Sequence, residues 1–152
     1  MKKENDMRIL FVCAGNTCRS PMAKVIMEQK LKAARISDKF EIDSGAYGRP
    51  TMNYVSAAAR AAIKIKYGED LLASHKPRKI TPALVRQADI ILVMAGWMKE
   101  GLPQSKTFTL KDFAGGSGDI LDPFGQGIDT YLAVADEIAE IIDKILPKLK
   151  DS

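Results

Sequence analysis

Residues 9–12, Ile9-Leu10-Phe11-Val12, form an unbroken apolar run that leads directly into Cys13-Ala14-Gly15-Asn16-Thr17-Cys18-Arg19 and then Ser20-Pro21. Four consecutive apolar residues suit a strand covered on both faces, the situation of a central strand in a parallel sheet. Ser-Pro at the head of a helix-like stretch marks a helix start, because proline lacks the N–H that the first turn leaves unpaired. The segment therefore reads as strand, short polar loop, helix. That order commits the chain to a parallel α/β design, with the loop at the C-terminal edge of the sheet.

The same order carries chemistry. Unpaired N–H groups at a helix start, together with the positive end of the helix dipole, bind an oxyanion. Arg19 adds a planar fork matched to two phosphate oxygens. A positive field of this kind favours thiolate over thiol, so Cys13 is a candidate nucleophile that needs no partnering base. Taken singly, each part has an ordinary explanation. A buried cysteine is often a small hydrophobe, an arginine a surface ion-pair residue, and Gly15-Asn16 a turn. Those explanations leave the order of the parts unaccounted for. A phosphate trap holding a nucleophile accounts for it, and makes the chain a candidate phosphatase working through a phosphocysteine.

The rest of the chain alternates strand and helix. Met22 to Ala34 reads as helix, with Ala23, Met27, Leu31 and Ala34 on one face, widened by Val25 and Ile26. Phe40-Glu41-Ile42 gives a second strand ending at Asp43-Ser44-Gly45. An alanine-rich helix is expected around Val55 to Ile65, and Thr81-Pro82 opens a short one. Ile90 to Val93 and Thr107 to Leu110 read as the third and fourth strands. A long helix from Asp129, with Tyr131, Val134, Ile138, Ile141, Ile142 and Ile145 on one face, is expected to close near Pro147. No repeat, linker or low-complexity tract divides the 152 residues, so one doubly wound α/β domain spanning 1–152 is expected.

Charge and cysteine usage narrow the function classes. A net charge of +4 suits an anionic substrate, but no basic run supports nucleic-acid binding. No apolar stretch is long enough to span a membrane. Met1 to Asp6 has basic residues without an apolar core behind them, so no signal peptide is read there and a cytoplasmic location is expected. Two cysteines five positions apart and a single histidine argue against a disulfide framework or a metal site. Cys18 is better read as a thiol able to resolve an oxidised Cys13. Trp97 and Tyr131 could line the site or pack, and packing is the expectation.

A thiolate that displaces a poor leaving group needs a proton donor. Asp122, followed by Pro123 late in the chain, is the best candidate. An Asp-Pro pair alone is commonly only a turn. Here it gains weight from a phosphate loop that requires an acid.

The stretch Val12 to Pro21, together with Asp122-Pro123-Phe124, resembles the low-molecular-weight protein tyrosine phosphatase family, in element order and over the whole length. The resemblance implies Cys13 as nucleophile and Ala14, Gly15, Asn16, Thr17, Cys18 and Arg19 as the phosphate-binding loop. It implies Arg19 as transition-state stabiliser and Asp122 as general acid. It also implies a four-stranded parallel sheet flanked by helices on both faces, and neither metal nor organic cofactor. Asn16, Ser20, Ser44 and His75 match the positions of a loop-supporting hydrogen-bond network; without the resemblance His75 would read as an exposed loop residue. The implied partners are phosphorylated proteins, with inorganic phosphate as product and the enzyme a monomer.

One branch of that family acts on phosphoarginine. Thr17 is similar to that branch, where tyrosine phosphatases usually carry a larger aliphatic residue. The blocks Thr107 to Lys111 and Gly118 to Gly125 also resemble bacterial arginine phosphatases, with Phe124-Gly125 where tyrosine phosphatases often have two aromatics. Thr17 and Phe124 are thus the expected substrate-selecting residues, and phosphoarginine the expected substrate, with phosphotyrosine as the alternative. An arsenate reductase on this scaffold would need further cysteines downstream, and none follows Cys18. A non-catalytic phosphate-binding module would be expected to have lost Cys13, Arg19 or Asp122.

Overall fold

In the computed structural model, which describes residues 6–50 and 52–150, the first apolar run lies at the centre of the molecule. Strand β1 (Met7–Cys13) has Ile9, Leu10, Phe11 and Val12 all at 0–1% exposure. Alternate side chains serve opposite faces: Ile9 and Phe11 enter one hydrophobic cluster, Leu10 and Val12 another. That is why the run shows no polar alternation. The expectation about the first residues, and the outer limits of the 1–152 domain, lie partly outside the described residues.

Strand β2 (Phe40–Ala46), strand β3 (Ile90–Val93) and strand β4 (Thr107–Thr109) join β1 in a four-stranded sheet of order β2-β1-β3-β4. Every pairing is parallel, with Phe11 beside Ser44 and Leu92, and Val93 beside Thr109. The order reverses direction at β1, so a crevice opens at its C-terminal end. Helix α1 (Arg19–Ala33), helix α2 (Ala57–Tyr67) and helix α5 (Ile128–Lys150) pack on the face that holds Ile9 and Phe11. Helix α3 (Pro82–Gln87) and a 3₁₀ turn at Gly96–Lys99 cover the other face. This is the doubly wound α/β arrangement with helices on both sides.

Several boundaries differ from the sequence reading, each for a local reason. Helix α1 begins at Arg19, three residues before Met22, and its first turn is buried because it backs the phosphate loop. Helix α2 is displaced to Ala57–Tyr67: Ser56 caps it by accepting from the Ala59 N–H at 3.1 Å, and left-handed Gly68 ends it. Strand β4 stops at Thr109, whose hydroxyl accepts from the Asp112 N–H at 3.0 Å and starts an unexpected short helix α4 (Leu110–Phe113). Helix α5 does not close near Pro147 but runs on to Lys150. The backbone bond that Pro147 cannot make is offset by Leu149, which is buried against the core two residues further on. Among the described residues, no helix is long and apolar enough to cross a membrane.

Candidate active site

A cleft of about 250 Å³ opens at the C-terminal end of β1, walled by Cys13, Ala14, Gly15, Thr17, Cys18, Arg19, Arg49, Asp122 and Phe124. The loop between β1 and α1 therefore faces the same space as the Asp122 segment, which is more than a hundred residues away in sequence.

Asn16 is the keystone of the loop. It is fully buried, with φ 58°, a left-handed conformation that asparagine tolerates better than most residues. Its backbone N–H points to Cys13 Sγ at 3.3 Å. Its side-chain amide donates to Ser20 Oγ at 2.8 Å and Ser44 Oγ at 3.0 Å, using both hydrogens. The Oδ1 atom accepts from the Arg78 N–H at 3.1 Å and stands 3.1 Å from His75 Nε2. His75 Nε2 is also 3.2 Å from the Asn16 carbonyl oxygen. Both atoms facing that nitrogen are acceptors, so His75 carries its hydrogen on Nε2. Burial, with Lys24 and Arg78 nearby, holds the His75 pKa below its ordinary value against the raising effect of the Asn16 backbone contact, so the ring is neutral at pH 7.

These assignments fix the sense of the chain of hydrogen bonds. Ser20 Oγ accepts from Asn16, which leaves its own hydrogen free to point at Cys13 Sγ, 2.9 Å away. The sulfur thus faces two donors, the Ser20 hydroxyl and the Asn16 N–H, an arrangement matched to a sulfur anion. Asn16 itself points away from the cleft and does not line it. Ser20, Ser44, His75 and Asn16 are brought together as the resemblance implied.

Arg19 is 5% exposed, and one guanidinium nitrogen donates to the Ile120 carbonyl at 2.8 Å. Its other terminal nitrogen is 3.6 Å from Asp122 Oδ2, so the fork lies between the loop and the acid segment. That segment is held elsewhere as well: the Ile120 N–H donates to the Met94 carbonyl at 2.8 Å, and Asp119 Oδ1 accepts from the Gly96 N–H at 2.9 Å. Asp122 Oδ1 accepts from the Phe124 N–H at 3.1 Å, while the Asp122 side chain remains 52% exposed. A carboxyl placed in this way can exchange protons with solvent and with a group in the cleft.

Behind the loop, Cys18 Sγ is 3.4 Å from Tyr131 Oη and 3.6 Å from Ser56 Oγ. Both cysteines are free thiols. Burial, then the contact with Cys18, pushes the Tyr131 pKa up to about 12, so the phenol stays protonated. Tyr131 packs as expected. Trp97 does not: it touches the Tyr47 ring edge-on at 5.4 Å, but 59% of its surface faces solvent. The 3₁₀ turn carrying it buries Met98 instead. Among the described residues, no group of three or more His, Cys, Asp and Glu side chains is placed to hold a metal ion.

Three residues at or behind the site escaped the sequence reading: Arg49 in the cleft wall, and Ser56 and Arg78 as loop contacts. A signal existed for Arg49. It lies just past the C-terminal end of β2, the strand beside β1, and such positions border the crevice of a doubly wound sheet. Arg78 reaches Asn16 through its backbone N–H, a contact that leaves no trace in residue type, while its Nε donates to the Ser44 carbonyl at 3.2 Å.

Comparison with known proteins identifies the family of the chain. The family model described as low molecular weight phosphotyrosine protein phosphatase matches residues 8–152. A protein-arginine-phosphatase from Geobacillus stearothermophilus is 37% identical over 150 residues, covering 94% of this chain and 96% of the relative. The crystal structure of a low molecular weight protein tyrosine phosphatase from T. tengcongensis is 36% identical and superposes with a TM-score of 0.86, over 94% of this chain and 99% of that one. A solved arginine phosphatase, 32% identical with a TM-score of 0.85 and covering 95% and 96%, is a mutant that bears phosphate on an active-site serine. The chain belongs to the low-molecular-weight protein tyrosine phosphatase family and is a phosphatase.

Proposed function

We propose that this phosphatase hydrolyses phosphoarginine in proteins through a phosphocysteine intermediate. The observation that carries the substrate choice is Thr17, which lines the cleft beside Cys13 and is 6% exposed. A threonine there puts a hydroxyl where a bulkier aliphatic side chain would offer apolar contact to a phenyl ring. The polar wall suits a guanidinium lying between the loop and Asp122. The relatives named as arginine phosphatases support the same reading.

In this mechanism the backbone N–H groups of Ala14 to Arg19 and the Arg19 fork hold the phosphoryl oxygens. The Cys13 thiolate attacks phosphorus, a P–S bond forms and the P–N bond breaks. Asp122, entering protonated, gives its proton to the nitrogen that keeps the P–N electron pair, and arginine leaves as its guanidinium cation. Water then attacks phosphorus, Asp122 now takes the proton, and the P–S bond breaks to return the thiolate and release inorganic phosphate. Ser20 and Asn16 hold the sulfur in line, and Ser44 and His75 hold Asn16. The transition state spreads its charge over three equatorial oxygens, the trigonal arrangement that the loop N–H groups and the Arg19 fork can bind together.

Phosphotyrosine is the second reading, supported by the 36% identical tyrosine phosphatase and by Phe124 at the cleft mouth, 58% exposed and free to face an aromatic ring. Hydrolysis of matched phosphoarginine and phosphotyrosine peptides separates the two. The wild type should prefer phosphoarginine. Thr17→Ile should shift the ratio toward phosphotyrosine by at least about tenfold, the scale of one apolar contact. A wild type that prefers phosphotyrosine would overturn the arginine assignment and leave the family's parent activity.

A further inference from the structure

Arg49 stands in the wall of the catalytic cleft and has no role in the mechanism above. Its position is set by a rigid support. Strand β2 ends beside the phosphate loop, where the Tyr47 N–H donates to the Cys13 carbonyl at 2.8 Å and the Gly48 N–H to the Ala14 carbonyl at 3.2 Å. Tyr47 is anchored further by its hydroxyl, which donates to the Glu100 carbonyl at 2.7 Å, and by its edge-on contact with Trp97. The backbone immediately before Arg49 is therefore clamped to Cys13 and to the residue that follows it.

The charges of the cleft are unequally engaged. Arg19 is buried and occupied with the Ile120 carbonyl and Asp122. Arg49 is exposed, and no carboxylate among the described residues pairs with it. The nearby Arg78, by contrast, is paired with Asp43. Among the described residues, the cleft thus presents one spare cation at its rim, on the wall formed by the end of β2, while Asp122 and Phe124 come from the loop before α5. A fixed, solvated cation at the mouth of a phosphate site acts on what enters with the phosphorylated residue, not on the phosphoryl group at the bottom.

We infer that Arg49 is a specificity residue that pairs with an acidic side chain flanking the phosphorylated residue of a protein substrate. The inference rests on the phosphatase activity and not on the choice between phosphoarginine and phosphotyrosine. An exposed pair of this kind contributes modestly and is screened by salt.

The test uses peptides alike except for one residue beside the phosphorylated position, Asp, Ala or Lys, each made in phosphoarginine and phosphotyrosine form. kcat/KM is measured at low and high ionic strength for the wild type, Arg49→Ala and Arg49→Glu, with a small aryl phosphate reporting that each protein is active. The wild type should favour the Asp over the Ala peptide by about three- to fivefold at low salt, mainly in KM, and lose the preference at high salt. Arg49→Ala should abolish the preference and Arg49→Glu should turn it toward the Lys peptide. This holds for whichever phosphorylated form is hydrolysed, so a phosphotyrosine preference defeats the substrate proposal alone. Equal losses on all three peptides in the variants would mean that Arg49 serves the phosphoryl group, and would overturn the inference. So would a wild type indifferent to the flanking charge, or one that turns over the aryl phosphate and none of the peptides.

Discussion

The Ser20 hydroxyl is free to donate to Cys13 Sγ because Asn16 gives one amide hydrogen to Ser20 Oγ and the other to Ser44 Oγ, and His75 and Arg78 fix that orientation by occupying the Asn16 side-chain oxygen. At the scale of single residues, the proposed chemistry depends on such directed bonds more than on charge. For Asp122, the proposed acid role predicts that Asp122→Asn lowers kcat by about 10²–10⁴-fold on poor leaving groups and much less on good ones. A loss equal across a leaving-group series would assign Asp122 to loop structure through its bonds to Phe124 and Arg19. Cys18 lies one layer behind, against Tyr131 and Ser56. As the proposed resolving thiol it should let thiol reagents restore the peroxide-treated wild type, by trapping sulfenylated Cys13 as a disulfide before further oxidation. Cys18→Ser should recover distinctly less activity; equal recovery would leave Cys18 a packing residue. Cys13, Arg19 and Asp122 could be singled out from residue type and spacing, and the structure brings the three into one cleft. Arg49 and Ser56 could not, because their positions come from strand β2 and helix α2 meeting the loop in space.

Elements were easiest to read where one physical cause dominates. Strand β1 and helix α5 follow from hydrophobic pattern alone: all six expected apolar positions of α5 are buried. Thr81-Pro82 marked α3 because the cap and the proline act within one turn, and Thr81 Oγ1 does accept from the Leu84 N–H at 3.1 Å. Errors fell where tertiary contacts shift a boundary, as at Pro147, or where two elements share a residue, as Thr109 ends β4 and caps α4. Gly45 shows the same limit. A Cβ there would meet Ile80 Cγ2 at 2.6 Å, so glycine is required by a segment 35 residues away that brings Arg78 to Asn16. Ser56 joins an element to the site. Its hydroxyl caps α2, its N–H donates to the Thr17 carbonyl at 2.9 Å, and its oxygen touches Cys18 Sγ. Ser56→Ala should cost about 1 kcal/mol of stability through the lost cap. It should also weaken binding of a phosphate analogue, whereas Ser56→Thr should restore most of both. A stability loss with unchanged binding would confine Ser56 to capping.

Stability of the whole molecule should carry a signature of the site, because His75 ties the loop after α2 to the phosphate loop and, through Asn16, to β2. Its folded-state pKa is lowered from 6.5, first by burial and then by the cations Lys24 and Arg78. The unfolded chain therefore binds a proton at His75 before the folded one does. Linkage then requires stability to fall as pH drops from about 6.5 toward the folded pKa, and to lose nothing further from this group once both states are protonated. Above about pH 7 both states are neutral and the contribution is flat. The hydrogen bond from Nε2 survives protonation, since both forms of the ring carry a hydrogen there. The penalty is thus one of desolvated charge, not of a broken contact. His75→Gln can keep a donor toward Asn16 without titrating. Thermal unfolding followed from about pH 7.5 to about pH 5 should show the wild-type Tm falling more steeply than that of His75→Gln, with the two curves converging in slope at the acid end. The variant should lie below the wild type at neutral pH, where the histidine ring fills its pocket without charge. Parallel curves across the whole interval would place the acid sensitivity in the carboxylates and remove His75 from the account. Added phosphate discriminates further: a ligand that binds only the folded state raises Tm at every pH. It should raise it without erasing the slope difference, because the proton and the anion act on opposite sides of Asn16.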